Sequence, residues 1–127
     1  MLKLTFCMRR LPGMSREEFQ DYWQNKHPMA AASNASETLG IKKYVQVLTL
    51  SDETHISFQA IRNSEKEFDG VAEIWIDDIE TFNKKWKSGR GWETFKAFLE
   101  DEKNFVDWEK SVFFIAEEKV LVREKII

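Results

Sequence analysis

Twice along the chain, a hydrophobic period of two gives way to a period near 3.6, and that alternation restricts the fold more than any single motif. Leu2, Leu4, Phe6 and Met8 alternate with Lys3, Thr5, Cys7 and Arg9, the pattern of a half-buried strand. Pro12 and Gly13 supply a turn. Ser15 and Glu18 then form a Ser-x-x-Glu capping box, which starts a helix. On that helix Phe19, Tyr22, Trp23 and His27 fall at i, i+3, i+4 and i+8, so the imidazole ends the apolar stripe and is at least partly buried. Pro28 predicts a kink beside it. A stretch of small residues continues as a second helical segment that ends at Gly40.

Residues 41–50 are β-branched and aromatic enough for a second strand. Residues 51–68 are polar without a clear period and read as a long loop, which leaves His55 without a role. Asp69 and Gly70 open a third strand, Val71 to Ile76. Asp77 with Glu80 resembles a second capping box ahead of Ile79, Phe82 and Trp86. After a break at Ser88 to Gly91, Trp92, Phe95 and Leu99 mark another helical piece. Ser111 to Ala116 reads as the closing strand, with Val120 to Val122 a short addition.

The order β-α-β-β-α-β predicts an α+β, ferredoxin-like fold, with a four-stranded antiparallel sheet and its helices on one face, over residues 1–127 as a single domain. In the third strand Val71, Glu73 and Trp75 point one way, and Ala72, Ile74 and Ile76 the other. The last strand is apolar on both faces, through Val112 and Phe114 on one side and Phe113 and Ile115 on the other. A sheet patterned in this way needs a cover on its free face, and a second copy in a two-fold homodimer is the simplest one.

The formal net charge of −3, with both signs interspersed, lacks the basic surface that a nucleic-acid partner requires. No apolar run is long enough for a membrane span, and no signal pattern opens the chain. The single cysteine, Cys7, rules out a disulfide framework and a paired-cysteine zinc site, and points to a cytoplasmic protein.

The segment Arg10 to Phe19 (RLPGMSREEF), Tyr22-Trp23 four residues ahead of His27, Phe68 to Trp75 (FDGVAEIW), Asp101-Glu102 with Phe105, and the late Glu117-Glu118 together resemble the EthD-domain family of dimeric α+β barrel proteins. The resemblance covers nearly the whole chain apart from residues 51–67. It implies a ferredoxin-like monomer paired sheet to sheet, with a mostly apolar pocket between sheet and helices. It also implies either a cofactor-free enzyme acting on aromatic or polyketide-like molecules (a cyclase, dehydratase, decarboxylase or oxygenase) or a protein with an accessory role.

Within that frame His27 is the candidate acid/base, because its unperturbed pKa lies near neutrality; its alternative is a helix-terminal histidine that only packs. Glu73, among apolar strand neighbours, is the second catalytic candidate, unless a basic residue such as Arg9 or Arg10 pairs with it. Tyr22 and Tyr44 either donate hydrogen bonds to a substrate carbonyl or anchor packing at the rim. Phe6 and Trp75 are expected pocket-wall residues, and Asp69 either a supporting group or a turn residue. Asp101, Glu102 and Asp107 lack the spacing of a metal site and read as solvated surface, so no metal is expected. Gly89 to Gly91 gives no phosphate motif. The expected function is proton-transfer chemistry on a small aromatic or polyketide-like carbonyl compound; the alternative is a non-catalytic protein that binds such a molecule.

Overall fold

The computed structural model describes the backbone of residues 1–27 and 29–125, and the side chains of these except 29–33. The kink expected at Pro28 lies outside the described residues. The elements run β1 (Leu2–Met8), α1 (Arg16–Asn25), α2 (Met29–Leu39), β2 (Lys43–Leu48), α3 (Thr54–Arg62), β3 (Gly70–Ile76), α4 (Ile79–Trp86), α5 (Gly89–Glu102) and β4 (Val112–Glu117), with a 3-10 turn at Trp108–Lys110. The strands form one sheet in the order β2-β3-β1-β4, every neighbouring pair antiparallel. This is the ferredoxin-like arrangement, α+β as the alternation of periods requires. Among the described residues no helix is long and apolar enough to cross a membrane.

The start of α1 follows its sequence closely. The Ser15 hydroxyl accepts from the Glu18 backbone N–H at 3.0 Å and the Glu18 carboxylate accepts from the Ser15 N–H at 3.0 Å, a complete capping box. Phe19 and Trp23 are buried against β3 at Gly70, where a methyl group would lie 2.7 Å from the Trp23 ring. Gly40, at φ +71°, ends α2 in the left-handed conformation that favours glycine. Gly91 lets α5 cross α4 closely, since a Cβ there would overlap the Lys85 carbonyl and lie 2.8 Å from the Thr38 carbonyl oxygen.

Register divides the sheet into two faces. Leu4 shares one face with Met8, Phe6, Ala72 and Ile74, and the last four meet the helices through two buried clusters. One cluster joins Met8 and Ala72 to Phe19, Trp23, Phe105 and Val106; the other joins Ala35, Leu39, Ile41 and Phe98. The opposite face carries Val45 and Val47, Val71, Glu73 and Trp75, Thr5 and Cys7, and Val112 and Phe114. Val47, Val112 and Phe114 on that face are exposed.

Three expectations are corrected. The region read as a loop contains α3. Its ends are held by local polar contacts, Asp52 accepting from the Thr54 hydroxyl at 3.2 Å and Asn63 adopting the left-handed C-cap. Its Ile56, Phe58 and Ile61 are all exposed, so no buried stripe marks the helix in the sequence. The N-cap of α4 is Asp78, accepting from the Thr81 N–H at 2.7 Å, while Asp77 one residue earlier pairs with Lys42. Val120 to Val122 form no strand and are exposed.

Candidate active site

Between the helix face of the sheet and helices α1, α2, α4 and α5 lies a cavity of about 470 Å³. Its wall is aliphatic and aromatic, with Leu4, Phe6 and Ile74 from the sheet and Phe95, Phe98 and Phe105 from the helical side. Among the residues lining it, His27, Tyr44, Asn83, Glu102 and the Trp indoles supply the polar atoms. Phe113, Ile115 and Trp108 line the cavity yet remain exposed, which marks its open side. An apolar chamber with a few converging polar groups is the usual form of a small-molecule site.

His27 follows the end of α1, where its backbone N–H donates to the Tyr22 carbonyl at 2.9 Å. The residue is 7 % exposed, and its ring packs 5.1 Å from Phe105 and 5.4 Å from Phe98, centroid to centroid. Nδ1 lies 2.7 Å from Asp101 Oδ2. Tyr22 Oη donates to Asp101 Oδ1 at 2.8 Å and the Asn104 amide donates to the same oxygen at 3.2 Å. Burial alone would raise the Asp101 pKa, but the hydrogen bonds from His27, Tyr22 and Asn104 outweigh it and hold the carboxyl below its ordinary value. Burial lowers the His27 pKa against the opposing pull of Asp101. The geometry therefore assigns a neutral imidazole that donates Nδ1–H to a charged carboxylate, leaving the lone pair on Nε2.

Glu102 is the next residue of α5 after Asp101 and turns into the cavity. Its Oε1 accepts from Trp108 Nε1 at 3.0 Å. Burial pushes its pKa up to about 7, with the charge of nearby Asp101 acting in the same direction and the Trp108 bond opposing. Tyr44 Oη accepts from Trp23 Nε1 at 3.0 Å, so its own O–H is left to donate, and burial raises its pKa as well.

The raised Glu102 pKa has a consequence for stability. The folded chain holds this proton up to about pH 7, whereas an unfolded glutamate releases it near 4.5. The folded state therefore binds more protons than the unfolded state between those values, and stability falls as pH rises through that window. Glu102→Gln removes this loss, on the order of 3 kcal/mol. The variant is expected to melt above the parent at about pH 8 and to lose most of that advantage at about pH 5, as read by paired thermal unfolding curves.

Of the residues singled out from sequence, the structure brings His27, Tyr44 and Phe6 to the cavity, and sets Tyr22 behind His27 on Asp101. Glu73 and Trp75 lie on the opposite sheet face. Lys3 Nζ is 2.6 Å from Glu73, and the Trp75 ring lies beneath Lys3 and Lys43 with its indole N–H on Glu118. The strand parity of the reading holds, but this parity faces away from the helices, and Lys3 rather than Arg9 or Arg10 neutralises Glu73. Asp69 is 3 % exposed and clamped by Arg10 and Arg16, the latter at 3.0 Å, so it ties β3 to the first turn outside the cavity. The His55 ring donates from Nε2 to the Leu50 carbonyl, 2.8 Å away and outside the cavity. Asp101 and Glu102 are the two site residues that the reading as solvated surface missed.

The sequence matches the family model of the EthD domain over residues 11–109. The chain belongs to the EthD-domain family. The EthD match takes in His27, Asp101 and Glu102. Among solved structures, an EthD-family protein from Bacillus halodurans superposes with a TM-score of 0.58 at 18 % identity, covering 94 % of this chain and 99 % of that one. HapK from Hahella chejuensis gives 0.58 at 12 % identity, with 99 % of each chain covered. A dimeric protein of unknown function with a ferredoxin-like fold from Bacteroides fragilis gives 0.56 at 8 % identity, covering 92 % of this chain and 95 % of that one. At these identities the likeness is one of fold. No curated protein matches the sequence.

Proposed function

We propose that this EthD-domain protein is a cofactor-independent acid–base enzyme that moves a proton on a small, apolar, aromatic or polyketide-like carbonyl compound, with His27 as the proton acceptor. The observation that carries this reading is the His27–Asp101 pair on the wall of an otherwise apolar cavity. Asp101 orients the ring and stabilises the imidazolium that forms when Nε2 takes a proton, while the apolar wall excludes water around the reacting carbon. Tyr44 can donate its O–H to a carbonyl oxygen as that oxygen gains charge. The cavity favours a flat apolar body with one or two oxygens over a charged metabolite, because among the described residues no lysine or arginine lines it.

The working form in this proposal is a cytoplasmic homodimer. Val47, Val112 and Phe114 make the outward sheet face apolar, and a second copy of the same face would cover them. The fold relative from Bacteroides fragilis is itself described as dimeric. Native mass spectrometry should give twice the chain mass; a monomer at micromolar concentration would contradict the pairing.

The function is tested with acetophenone in heavy water, following α-deuteration by proton NMR. The protein is expected to accelerate exchange above the buffer rate in proportion to its concentration. Saturable binding of acetophenone without any acceleration would replace the enzyme reading with that of a small-molecule binding protein.

A further inference from the structure

We propose that Glu102 is the catalytic acid of this site, its carboxyl group giving a proton to the carbonyl oxygen of an aryl or β-keto type ketone while His27 takes the proton from the adjacent carbon. The inference rests on the acid–base reading above and names the reaction class, ketone enolisation, and the second reacting group.

The geometry carries it. Consecutive residues of a helix point about 100° apart, so Asp101 and Glu102 at the end of α5 serve different sides of the wall. Asp101 turns to His27 and Tyr22; Glu102 turns into the cavity. Both His27 and Glu102 line the same chamber, with Phe105 also in its wall. The hydrogen bond given to Glu102 comes from the neutral Trp108 indole, and among the described ion pairs no lysine or arginine reaches it. With no lysine or arginine paired to it among the described residues, the buried carboxyl group holds its proton well above the ordinary carboxylate range, up to about 7. A structural carboxylate on a surface helix needs none of this, whereas an acid that must donate in an apolar chamber needs all of it.

The step balances within the two side chains and the ketone. The α-carbon loses its proton to His27 Nε2, and the C–H pair becomes the carbon–carbon double bond. The carbonyl π pair moves to oxygen, which takes the proton of Glu102. The products are an enol, an imidazolium held by Asp101, and a Glu102 carboxylate. Return of both protons restores the ketone, and exchange of the imidazolium proton with heavy water in between labels the carbon.

The test is the pH dependence of acetophenone deuteration by the wild-type protein and by Glu102→Gln, which keeps an oxygen for Trp108. The wild-type rate is expected to rise as His27 loses its proton, below the usual histidine range, and to fall as Glu102 loses its own near 7. Glu102→Gln should cut the rate about a hundredfold and abolish the descending limb while the ascending limb stays in place. A variant that keeps both rate and descending limb overturns the role of Glu102 and leaves His27 intact. Exchange absent from the wild-type protein overturns the acid–base reading, and this inference with it. Carboxyl-carbon NMR of glutamate-labelled protein decides independently of activity: one resonance should titrate near 7 and vanish in Glu102→Gln, and titration of every glutamate in the ordinary range overturns the proposal.

Discussion

His27→Ala is expected to lower the rate of ketone deuteration by about 10² to 10⁴, the contribution of a well-placed general base. The variant removes the lone pair on Nε2 and leaves Asp101 with its bonds from Tyr22 and Asn104, so the carboxylate keeps partners and the stability cost stays at about 1–3 kcal/mol. Its affinity for acetophenone should change little, because Phe6, Phe98 and the other apolar wall residues remain. A drop in rate with preserved melting behaviour and preserved binding separates loss of chemistry from loss of fold. A variant as fast as the wild type would remove His27 from the mechanism. Asp101→Asn acts on the same pair more gently: it keeps the shape but no longer stabilises the imidazolium, so its loss should fall between those of the wild type and His27→Ala.

The largest effect on stability is expected at Phe105. Its side chain is fully buried against α1, with ring centroids 5.4 Å from Phe19, 5.1 Å from Tyr22 and 5.1 Å from His27. Phe105→Ala removes the shared contact of all three and leaves a void beside His27, a loss of about 3–5 kcal/mol. Against a total stability of roughly 5–15 kcal/mol, that is enough to leave a substantial unfolded fraction under mild denaturant. Urea unfolding should show the midpoint falling steeply, and a shift of under about 1 kcal/mol would mean that this region is not packed as described. The same change frees the His27 ring from its edge contact, so any folded variant should also lose rate.

The legible parts of the sequence were those in which local chemistry and tertiary packing agree. Ser15 and Glu18 cap α1 through both reciprocal bonds, and the stripe of Phe19, Trp23 and His27 is buried along its length. The order of periods marked the sheet for the same reason: β1 and β3 bury Leu4, Met8, Ala72 and Ile76 on the face that their alternation picks out. α3 shows the opposite case. It is held by Asp52 and Asn63 at its ends and buries no apolar side chain, so nothing in its hydrophobic pattern announces a helix.

Glu73 and Glu102 show what a sequence tells about a carboxylate. Both sit among apolar residues, but on a strand the pattern gives parity without saying which side the helices take. Lys3, paired across β1 and β3, makes the outward side the answer for Glu73. Glu102 was legible in principle, since it continues the spacing of Trp92, Phe95 and Leu99 along α5 and so falls on the cavity stripe. Its acidic neighbours, Glu100 and Asp101, disguised it as surface. The His27–Asp101 contact joins residues far apart in the chain and follows only from where the end of α1 meets the end of α5.

The measurement that bears most directly on the central claim is nitrogen NMR of histidine-labelled protein across pH, with His27→Ala used to identify the resonance. The expected result is a His27 ring protonated at Nδ1 and unprotonated at Nε2 near neutrality, gaining its second proton only below the usual histidine range, with the Nδ1 signal perturbed by Asp101→Asn. A ring protonated at Nε2, or one that titrates as a free imidazole and ignores Asp101, would contradict the pair on which the proposed chemistry depends.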